Sequence, residues 1–563
     1  MCKRMSASKK KQQRKANAEA SEELFSKKNG KDDKKESGVK YAIAGIVVAI
    51  ALVLSIAVLV IQGFVAPNAA AMTIGSEKIY SHELNYYYIN AYSNFVNQVG
   101  TEYASQLFGL DTSKSLKTQT YYADSSMTWH DYFLSTAKTS AQQIHMLADA
   151  AKAEGVTLNE EYEAYVQDEM SGLADYVAEN GYSMDSYLSA MYGKRMDQAE
   201  YERLVRNGYL ASQYSEAKSE EFSSSYTDDD LTSYYNEHKN DFDLVTYRRY
   251  LVTAKTEDGM TDTQKNEALN SARATAEAMA NGSTSEAEFI AQVVTQKNKE
   301  NAEAAANTAE GEESTEPTEY TGDQAETDTL QSEVAYSSFS TTNESSKAQA
   351  EWLFDEARTT GDVTTIDTTT GTYVFFFMER SRHDYNTVDV RHILVSFDSF
   401  DAEGNPIADD AEETENTDSS TETTETTDAQ KEAAEAEAER ILAEWKDGAA
   451  TEESFGELAK QYTDDSNGEQ GGLYEQVYQG RMVTNFNDWI FGSGREPGDT
   501  GVISTDYGYH VMYFVGENDP YWMVQVRSAK ASADYNAWAE AKFENYAMKD
   551  KSGISNVGLA NGR

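Results

Sequence analysis

Two histidines late in the chain lie in segments whose alternating patterns predict β-strands. His392 alternates with Val390 and Leu394, and successive side chains of a strand point to opposite faces of a sheet. His510 alternates in the same way with Met512. If both strands belong to one sheet, the two imidazoles lie close together. Taken singly, either histidine is explained more simply as a satisfied core residue, so the pair is the informative feature.

A predicted helix and a polar turn lie between the two histidines, and the turn contains Asp464 and Asp465. Histidines earlier in the chain show no spacing of a metal site, and the only cysteine is Cys2. The sequence therefore predicts no metal, no cofactor and no disulfide framework.

Five motifs occur in a fixed order in this region. They are RHILV from residue 391, ELAKQYTDD from 457, the double glycine at 471, GRMVTNF from 480 and GYHVMYF from 508. This order resembles the parvulin family of peptidyl-prolyl cis-trans isomerases. The resemblance implies a four-stranded antiparallel sheet wrapped by helices, and an enzyme that rotates X-Pro bonds.

The resemblance also assigns roles to seven residues. The catalytic ones are His392, Asp465, His510 and Thr505, and those that line an apolar pocket for the proline ring are Leu473, Met482 and Phe486. After the double glycine the family usually has Asp-Leu-Gly, whereas this chain has Leu473-Tyr474-Glu475. The resemblance therefore does not determine which of these residues forms the pocket wall at this point.

Rotation of an X-Pro bond breaks no covalent bond, so the implied reaction fits a site without cofactor. Amide resonance sets a barrier of about 18–20 kcal/mol. A dry apolar cup that holds the proline ring, with polar groups that adjust to the twisted carbonyl, favours the transition state over the planar ground state.

The chain contains an internal repeat. The segment 245–253 matches 388–396 at an offset of 143, and Trp352 opens a series of matches to later residues at an offset of 137. In the first unit Arg249 stands in place of His392, and Tyr373 in place of His510. We therefore expect a degenerate parvulin-like domain at 243–383 and a parvulin domain at 388–519.

Each repeat is interrupted by an acidic tract. Residues 300–330 hold ten Asp or Glu, residues 401–428 hold eleven, and neither tract has a Lys or Arg. Such segments bury too little apolar surface to offset chain entropy, which predicts disordered inserts at 296–345 and 399–428. Calcium binding is an alternative, but neither tract has the Asp and Gly spacing of a calcium loop.

The N-terminal region combines a basic tail with an apolar stretch. Residues 1–40 carry 13 Lys or Arg against six Asp or Glu, and residues 41–65 are almost wholly apolar. This pattern predicts a cytoplasmic tail and a transmembrane helix, hence a single-pass protein of the cell membrane with an extracytoplasmic catalytic domain. A cleaved signal peptide is the alternative, although its apolar core is usually shorter.

The outer part begins with a helical pattern at 72–242, and a further helix and tail are expected at 520–563. A helical region followed by parvulin units is similar to extracytoplasmic foldases of the PrsA and SurA type. The resemblance implies unfolded or newly exported polypeptides with X-Pro bonds as partners. The net charge of -48 disfavours nucleic acid, and the oligomeric state is left open.

The predicted fold class is thus α+β multidomain. It comprises a transmembrane helix, a helical chaperone-like domain and two tandem parvulin-like domains. The predicted function is that of a peptidyl-prolyl isomerase and folding chaperone. The alternatives are a non-catalytic, membrane-anchored chaperone that holds unfolded polypeptides and, more distantly, a surface adhesin.

Overall fold

The computed structural model describes residues 69–306, 318–407 and 426–559. These residues form two compact units. One is continuous, from Thr227 to Arg527, and the other combines residues 69–226 with residues 528–559.

The discontinuous unit is mainly helical. Its helices are α1 (Ser81–Val99), α2 (Thr101–Phe108), α3 (Trp129–Ala153), α4 (Glu160–Glu179), α5 (Met184–Tyr192) and α6 (Gln198–Ser225). Two small antiparallel sheets accompany them. They consist of β1 (Ala70–Ile74), β2 (Glu77–Tyr80) and β13 (Met548–Asp550) in the order β13-β1-β2, and of β3 (Thr120–Tyr121) paired with β4 (Asp124–Thr128).

The continuous unit begins with α7 (Asp228–Glu237) and α8 (Lys239–Phe242) and contains two four-stranded antiparallel sheets. The first sheet has the order β6-β5-β8-β7 and consists of β5 (Leu244–Thr253), β6 (Leu330–Ala335), β7 (Val363–Asp367) and β8 (Gly371–Ser381). Its helices are α9 (Asp262–Asn281), α10 (Glu286–Ala306), α11 (Gly322–Thr329) and α12 (Glu344–Leu353).

The second sheet has the equivalent order β10-β9-β12-β11. Its strands are β9 (Asn386–Ser396), β10 (Leu473–Val477), β11 (Thr500–Thr505) and β12 (Gly508–Pro520). Its helices are α13 (Asp428–Asp447), α14 (Glu452–Tyr462) and α15 (Thr484–Ile490). The chain continues into α16 (Tyr521–Phe543).

Two details of the first sheet recur in the second, where Arg391 and Gln476 follow Arg248 and Glu333 at the offset of 143. Nε of Arg391 lies 3.0 Å from Glu452, and Nε of Arg248 lies 2.7 Å from Glu286. Gln476 has a positive φ of 49° and Glu333 one of 51°, so each edge strand contains the same irregularity. The sequence repeat therefore corresponds to two copies of one sheet.

The edge strand of the first sheet requires a correction to the predicted insert at 296–345. Residues 318–345 contain α11 and β6, and β6 pairs with β5. A capping box of Thr321 and Gln324 starts α11, and strand pairing supplies hydrogen bonds that composition alone does not indicate. Residues 307–317, and residues 408–425 of the second predicted insert, lie outside the described residues.

The predicted fold class and location are wrong about the membrane. Within the three described ranges, no helix has both the length and the apolar character needed to cross a bilayer. The longest ones, α3 and α6, carry charged side chains along their length, which the core of a bilayer disfavours. The predicted span at 41–65 and tail at 1–40 lie outside the described residues. A transmembrane helix and a single-pass, extracytoplasmic location are accordingly not supported.

Candidate active site

The two central strands of the second sheet place both histidines on one face. His392 on β9 stands opposite Met512 of β12, and His510 on β12 stands opposite Leu394 of β9. Side chains opposite each other in an antiparallel pair lie on the same face of the sheet. Both imidazoles are buried, with exposed fractions of 1% for His392 and 5% for His510.

A hydrogen-bonded chain joins the two histidines to a threonine at the end of β11. Nδ1 of His392 lies 3.0 Å from Nδ1 of His510, and Nε2 of His510 lies 2.9 Å from Oγ1 of Thr505. The imidazole planes are nearly parallel, at 28°. The three side chains therefore form one connected polar network within the sheet.

The turn after α14 delivers a carboxylate to this network. Thr463 accepts a hydrogen bond from the backbone N–H of Leu394 (2.9 Å), and Asp464 N–H donates to the carbonyl of Leu394 (2.9 Å). These bonds fix the turn against β9. Oδ2 of Asp465 then lies 3.3 Å from Nε2 of His392. That contact is an ion pair by distance but lies off the direction of a hydrogen bond, since Nε2 has no hydrogen-bond partner among the described residues.

Burial and neighbouring groups set the charges in this network. Burial raises the pKa of Asp465, but the close contact with His392, a backbone N–H of Asn467 and the Tyr474 hydroxyl outweigh it and hold the pKa at about 2. Burial, together with the charge of His392, lowers the pKa of His510 to about 3. At neutral pH the site therefore holds a carboxylate beside a neutral His510.

An apolar wall lies against the two histidines. The ring of Phe486, which is 3% exposed, meets His392 and His510 edge-on at centroid distances of 5.3 and 5.5 Å. Met482 packs against the same core cluster as Phe486. The structure therefore brings six of the seven predicted site residues to one face, which includes Thr505 and Asp465.

Leu473 is the exception, because strand register places it on the other face. It stands opposite Arg391, whose side chain reaches Glu452 of α14. Its neighbour Tyr474 stands opposite Val390, on the histidine face. Side chains alternate between the two faces along β10, so the sequence would have placed Tyr474 and not Leu473 on the histidine face if the register of that strand had been known.

Tyr474 is thus a site residue that the sequence argument missed. Its ring stacks on His392 with centroids 5.3 Å apart, and its hydroxyl donates to the Asp465 carboxylate at 3.2 Å to Oδ1. Burial and the charge of Asp465 raise the pKa of this tyrosine, so its proton is retained as a donor. Tyr474 therefore connects the carboxylate to the stacked imidazole.

The equivalent face of the first sheet lacks this chemistry. The guanidinium of Arg249 lies over the ring of Tyr373 at 5.3 Å, at the positions of the two histidines. At the offset of 137, Gln349 replaces Phe486 as well. A cation–π pair and an amide here take the places of the imidazole pair and the apolar wall.

Comparison with known families agrees with the geometry of the second sheet. A family model described as the PPIC-type PPIASE domain matches residues 373–517. The chain therefore contains a peptidyl-prolyl isomerase domain of the PPIC, or parvulin, type. The prediction of a parvulin-type isomerase is confirmed, and the match begins within β8, before the predicted boundary at 388.

Eight solved chains also match. Among them is a crystal structure of the peptidylprolyl isomerase PrsA from Bacillus anthracis, at 19% sequence identity and a TM-score of 0.17. The match covers 31% of this chain and 63% of that one. A likeness this distant supports no conclusion about mechanism. A search of curated proteins found no significant match.

Proposed function

We propose that the protein is a peptidyl-prolyl cis-trans isomerase that acts on X-Pro bonds of unfolded or newly exported polypeptides. The observation that supports this most is the meeting of a buried imidazole pair, a carboxylate and an apolar wall. Uncatalysed isomerisation takes tens to hundreds of seconds, so such an activity accelerates folding steps that wait on proline.

The proposed mechanism starts from the proton positions. With the Thr505 hydroxyl donating to Nε2 of His510, Nδ1–H of His510 donates to Nδ1 of His392. Nε2–H of His392 then faces the Asp465 carboxylate, 3.3 Å away. His510 is neutral in this arrangement, in agreement with its lowered pKa.

In this mechanism the proline ring sits against Phe486 and Met482, and the preceding carbonyl turns past Asp465. The contact between His392 and Asp465 is not a directed hydrogen bond, so Nε2–H of His392 is left as a donor toward the twisting carbonyl oxygen. Polar groups in a site shielded from water thereby stabilise the twisted amide, which has lost its resonance. No covalent intermediate is formed.

A refolding reaction limited by a proline step tests the proposal. The full chain is expected to accelerate the slow phase, and His392→Ala and Asp465→Ala each lose at least about tenfold of that acceleration, which is 1.4 kcal/mol of transition-state stabilisation. His238→Ala is the matched control, because this side chain is 41% exposed and lies outside the site. No acceleration by the folded full chain would contradict the proposal.

A second candidate function is non-catalytic binding of unfolded polypeptides. Exposed apolar side chains on and beside α2 favour it, with Leu107 67%, Tyr103 59% and Tyr122 56% exposed. A protein that only binds would suppress aggregation in the same refolding reaction without accelerating the slow phase.

A further inference from the structure

The face of the first sheet that corresponds to the candidate active site contains a guanidinium without a carboxylate partner. Arg249 of β5 stands opposite Phe375 of β8. His392 and Met512 form the equivalent pair in the second sheet. Among the residues that the structure describes, the half-buried Arg249 forms no ion pair and no hydrogen bond, although its guanidinium lies over the ring of Tyr373 at 5.3 Å. An aromatic ring attracts the charge, but the N–H groups of the guanidinium still need acceptors.

The other arginines in the described part of the chain show that this is an exception. All but Arg195, Arg249 and Arg481 form an ion pair with an Asp or Glu. Such pairing is expected in a chain with 96 acidic and 48 basic residues. Arg195 and Arg481 are exposed, so water solvates their charge, whereas Arg249 is half-buried. Because a buried cation costs free energy unless it is paired, an anion at Arg249 is favoured.

Aromatic side chains flank this guanidinium along β8. Tyr373 and Trp352 are half-exposed, and their ring centroids lie 5.7 and 6.0 Å from that of Phe375. Trp352 also contacts Phe377, at 6.3 Å, so it lies on the side of Phe375 that faces away from Tyr373. Tryptophan, tyrosine and arginine are the residue types that dominate binding energy in protein interfaces. The face thus presents a cation between two partly exposed aromatic surfaces.

The polar groups of this face also differ from those of the second sheet. Gln349, which is 7% exposed, takes the place of Phe486, and its amide nitrogen makes one long hydrogen bond, 3.4 Å to the hydroxyl of Ser345. Burial raises the pKa of the neighbouring Tyr247, and the positive charge of Arg249 opposes this rise. The local charge at this face is therefore positive, although the whole chain carries a net charge of -48.

We propose that this face of the first sheet binds an extended polypeptide segment in which an aspartate or glutamate stands between apolar residues. The carboxylate accepts a bidentate pair of hydrogen bonds from Arg249, and the flanking apolar side chains pack against Tyr373 and Trp352. An acidic side chain within a segment fits better than a chain terminus, because aromatic surface lies on both sides of the guanidinium. This binding goes beyond the proposed isomerase function and does not depend on it, since these residues belong to the first sheet and its helix α12.

The expected preference is for glutamate over glutamine at the central position of a bound peptide. A hydrogen bond between charged groups is stronger than one between neutral groups, which gives about a tenfold lower dissociation constant for the glutamate peptide. The net charge of -48 acts in the opposite direction, because it repels an acidic peptide. A preference for glutamate therefore reports a local cation and not the overall field of the protein.

The test is titration calorimetry of the full chain with acetyl-Ala-Phe-Glu-Phe-Ala-amide and with its glutamine counterpart, neither of which contains proline. Arg249→Met removes the charge but keeps most of the side-chain volume, and it is expected to abolish the preference for glutamate. The matched control is Arg195→Met, which removes an exposed guanidinium that lies over Tyr80 at 4.1 Å in the other compact unit and is expected to keep the preference. Arg249→Lys keeps the charge without the planar fork, so about a threefold preference is expected even if the methionine variant fails to fold.

Three results would overturn the inference. The first is binding of the glutamine peptide by the wild type as tightly as the glutamate peptide. The second is an equal loss of the preference in Arg249→Met and Arg195→Met, because the guanidinium over Tyr373 then has no special role. The third is tighter binding of acetyl-Ala-Phe-Gln-Phe with a free carboxylate than of the glutamate peptide, which would identify a chain terminus as the ligand. Acceleration of proline-limited refolding is measured separately, so failure of this inference and failure of the isomerase proposal remain distinguishable.

Discussion

The Tyr474 hydroxyl donates to a carboxylate that also faces His392, so one oxygen atom affects both the position and the charge of Asp465. We predict that Tyr474→Phe lowers kcat/KM about tenfold, in line with about 1.5–3 kcal/mol for a hydrogen bond to a charged group. It also removes one of the interactions that lower the pKa of Asp465. The acid limb of the pH profile of kcat/KM therefore moves to higher pH.

A matched tyrosine provides the control for this measurement. Tyr182→Phe removes a hydroxyl from an exposed ring in the other compact unit and is expected to leave both the rate and the profile unchanged. A Tyr474→Phe profile that coincides with that of the wild type would show that the hydroxyl has only a packing role.

His510 links the stability of its unit to pH. Its folded pKa of about 3 lies below the ordinary value of 6.5, so between these values the unfolded chain binds more protons than the folded one. Stability is therefore fully present above about pH 6.5 and is lost as the pH falls toward 3. We predict a loss of about 2 kcal/mol from this group between pH 7 and pH 5.

The measurement is urea unfolding of the wild type and of His510→Asn at both pH values, followed by the near-ultraviolet signal of the unit Thr227–Arg527. The variant is expected to show the smaller dependence on pH. Equal dependence in the two proteins would mean that His510 titrates normally.

At the scale of residues, strand alternation and motif order were sufficient to indicate His392, His510 and Asp465. They were not sufficient to choose between Leu473 and Tyr474. That choice depends on the register of an edge strand, in which a shift of one residue exchanges the two faces. The register becomes clear only from the pairing of β10 with β9.

The junction between α14 and β10 depends on a glycine that no other residue replaces without strain. Gly472 has φ of +70°, and a Cβ there would lie 2.1 Å from the carbonyl oxygen of His392. The Gly472 carbonyl also accepts the N–H of His392 at 2.9 Å. We predict that Gly472→Ala costs about 2–3 kcal/mol of stability and displaces His392, with a loss of activity.

Gly480 offers a matched comparison, because its φ is +83° but a Cβ there would meet no atom within 4 Å. Gly480→Ala is expected to cost about 1 kcal/mol, from backbone strain alone. Thermal unfolding and kcat/KM of both variants make the comparison. Equal effects would contradict the assignment of a steric role to the position of Gly472.

At the scale of elements, the repeat indicated the first strand of each sheet, β5 and β9. Composition gave the wrong expectation for α11 and β6, which lie in a segment rich in acidic residues. Their order comes from a capping box and from pairing with β5, and an edge strand needs few buried side chains. Compositional criteria count apolar surface and do not register these backbone interactions.

The other compact unit contains a buried carboxyl group, that of Glu169. Glu169 is 3% exposed and accepts hydrogen bonds from Tyr201 (3.1 Å) and Tyr209 (3.2 Å). Burial raises its pKa to about 7, although both hydroxyls lower it. The folded state thus holds a proton that the unfolded chain has released by about pH 6.

The stability of this unit is therefore predicted to rise by about 1.4 kcal/mol from this group as the pH falls from 8 to 6. Hydrogen exchange of α4 and α6, corrected for intrinsic rates, measures the opening free energy at both pH values. Glu169→Gln keeps the shape of the side chain and is expected to reduce the difference by that amount. An unchanged difference in the variant would contradict the prediction.

For the whole molecule, the sequence indicated a helical part and two repeated sheets. A further helix was expected at 520–563, with its packing onto the helical region left open, and residues 528–559 belong to the same compact unit as residues 69–226. That association rests on contacts distant in sequence, such as the pairing of β13 with β1. The predicted membrane architecture is wrong, since no helix within the described residues could cross a bilayer. That prediction depended on the apolar stretch 41–65, which lies outside the described residues.

The most direct test of the isomerase proposal is exchange spectroscopy on a short Ala-Pro peptide with catalytic amounts of the full chain. Separate NMR signals of the cis and trans forms report the rate of interconversion without a coupled reaction. The prediction is rapid exchange with the wild type and with His238→Ala, and near-uncatalysed exchange with His392→Ala. Exchange that remains as fast with His392→Ala as with the wild type would contradict the assignment of catalysis to the imidazole pair.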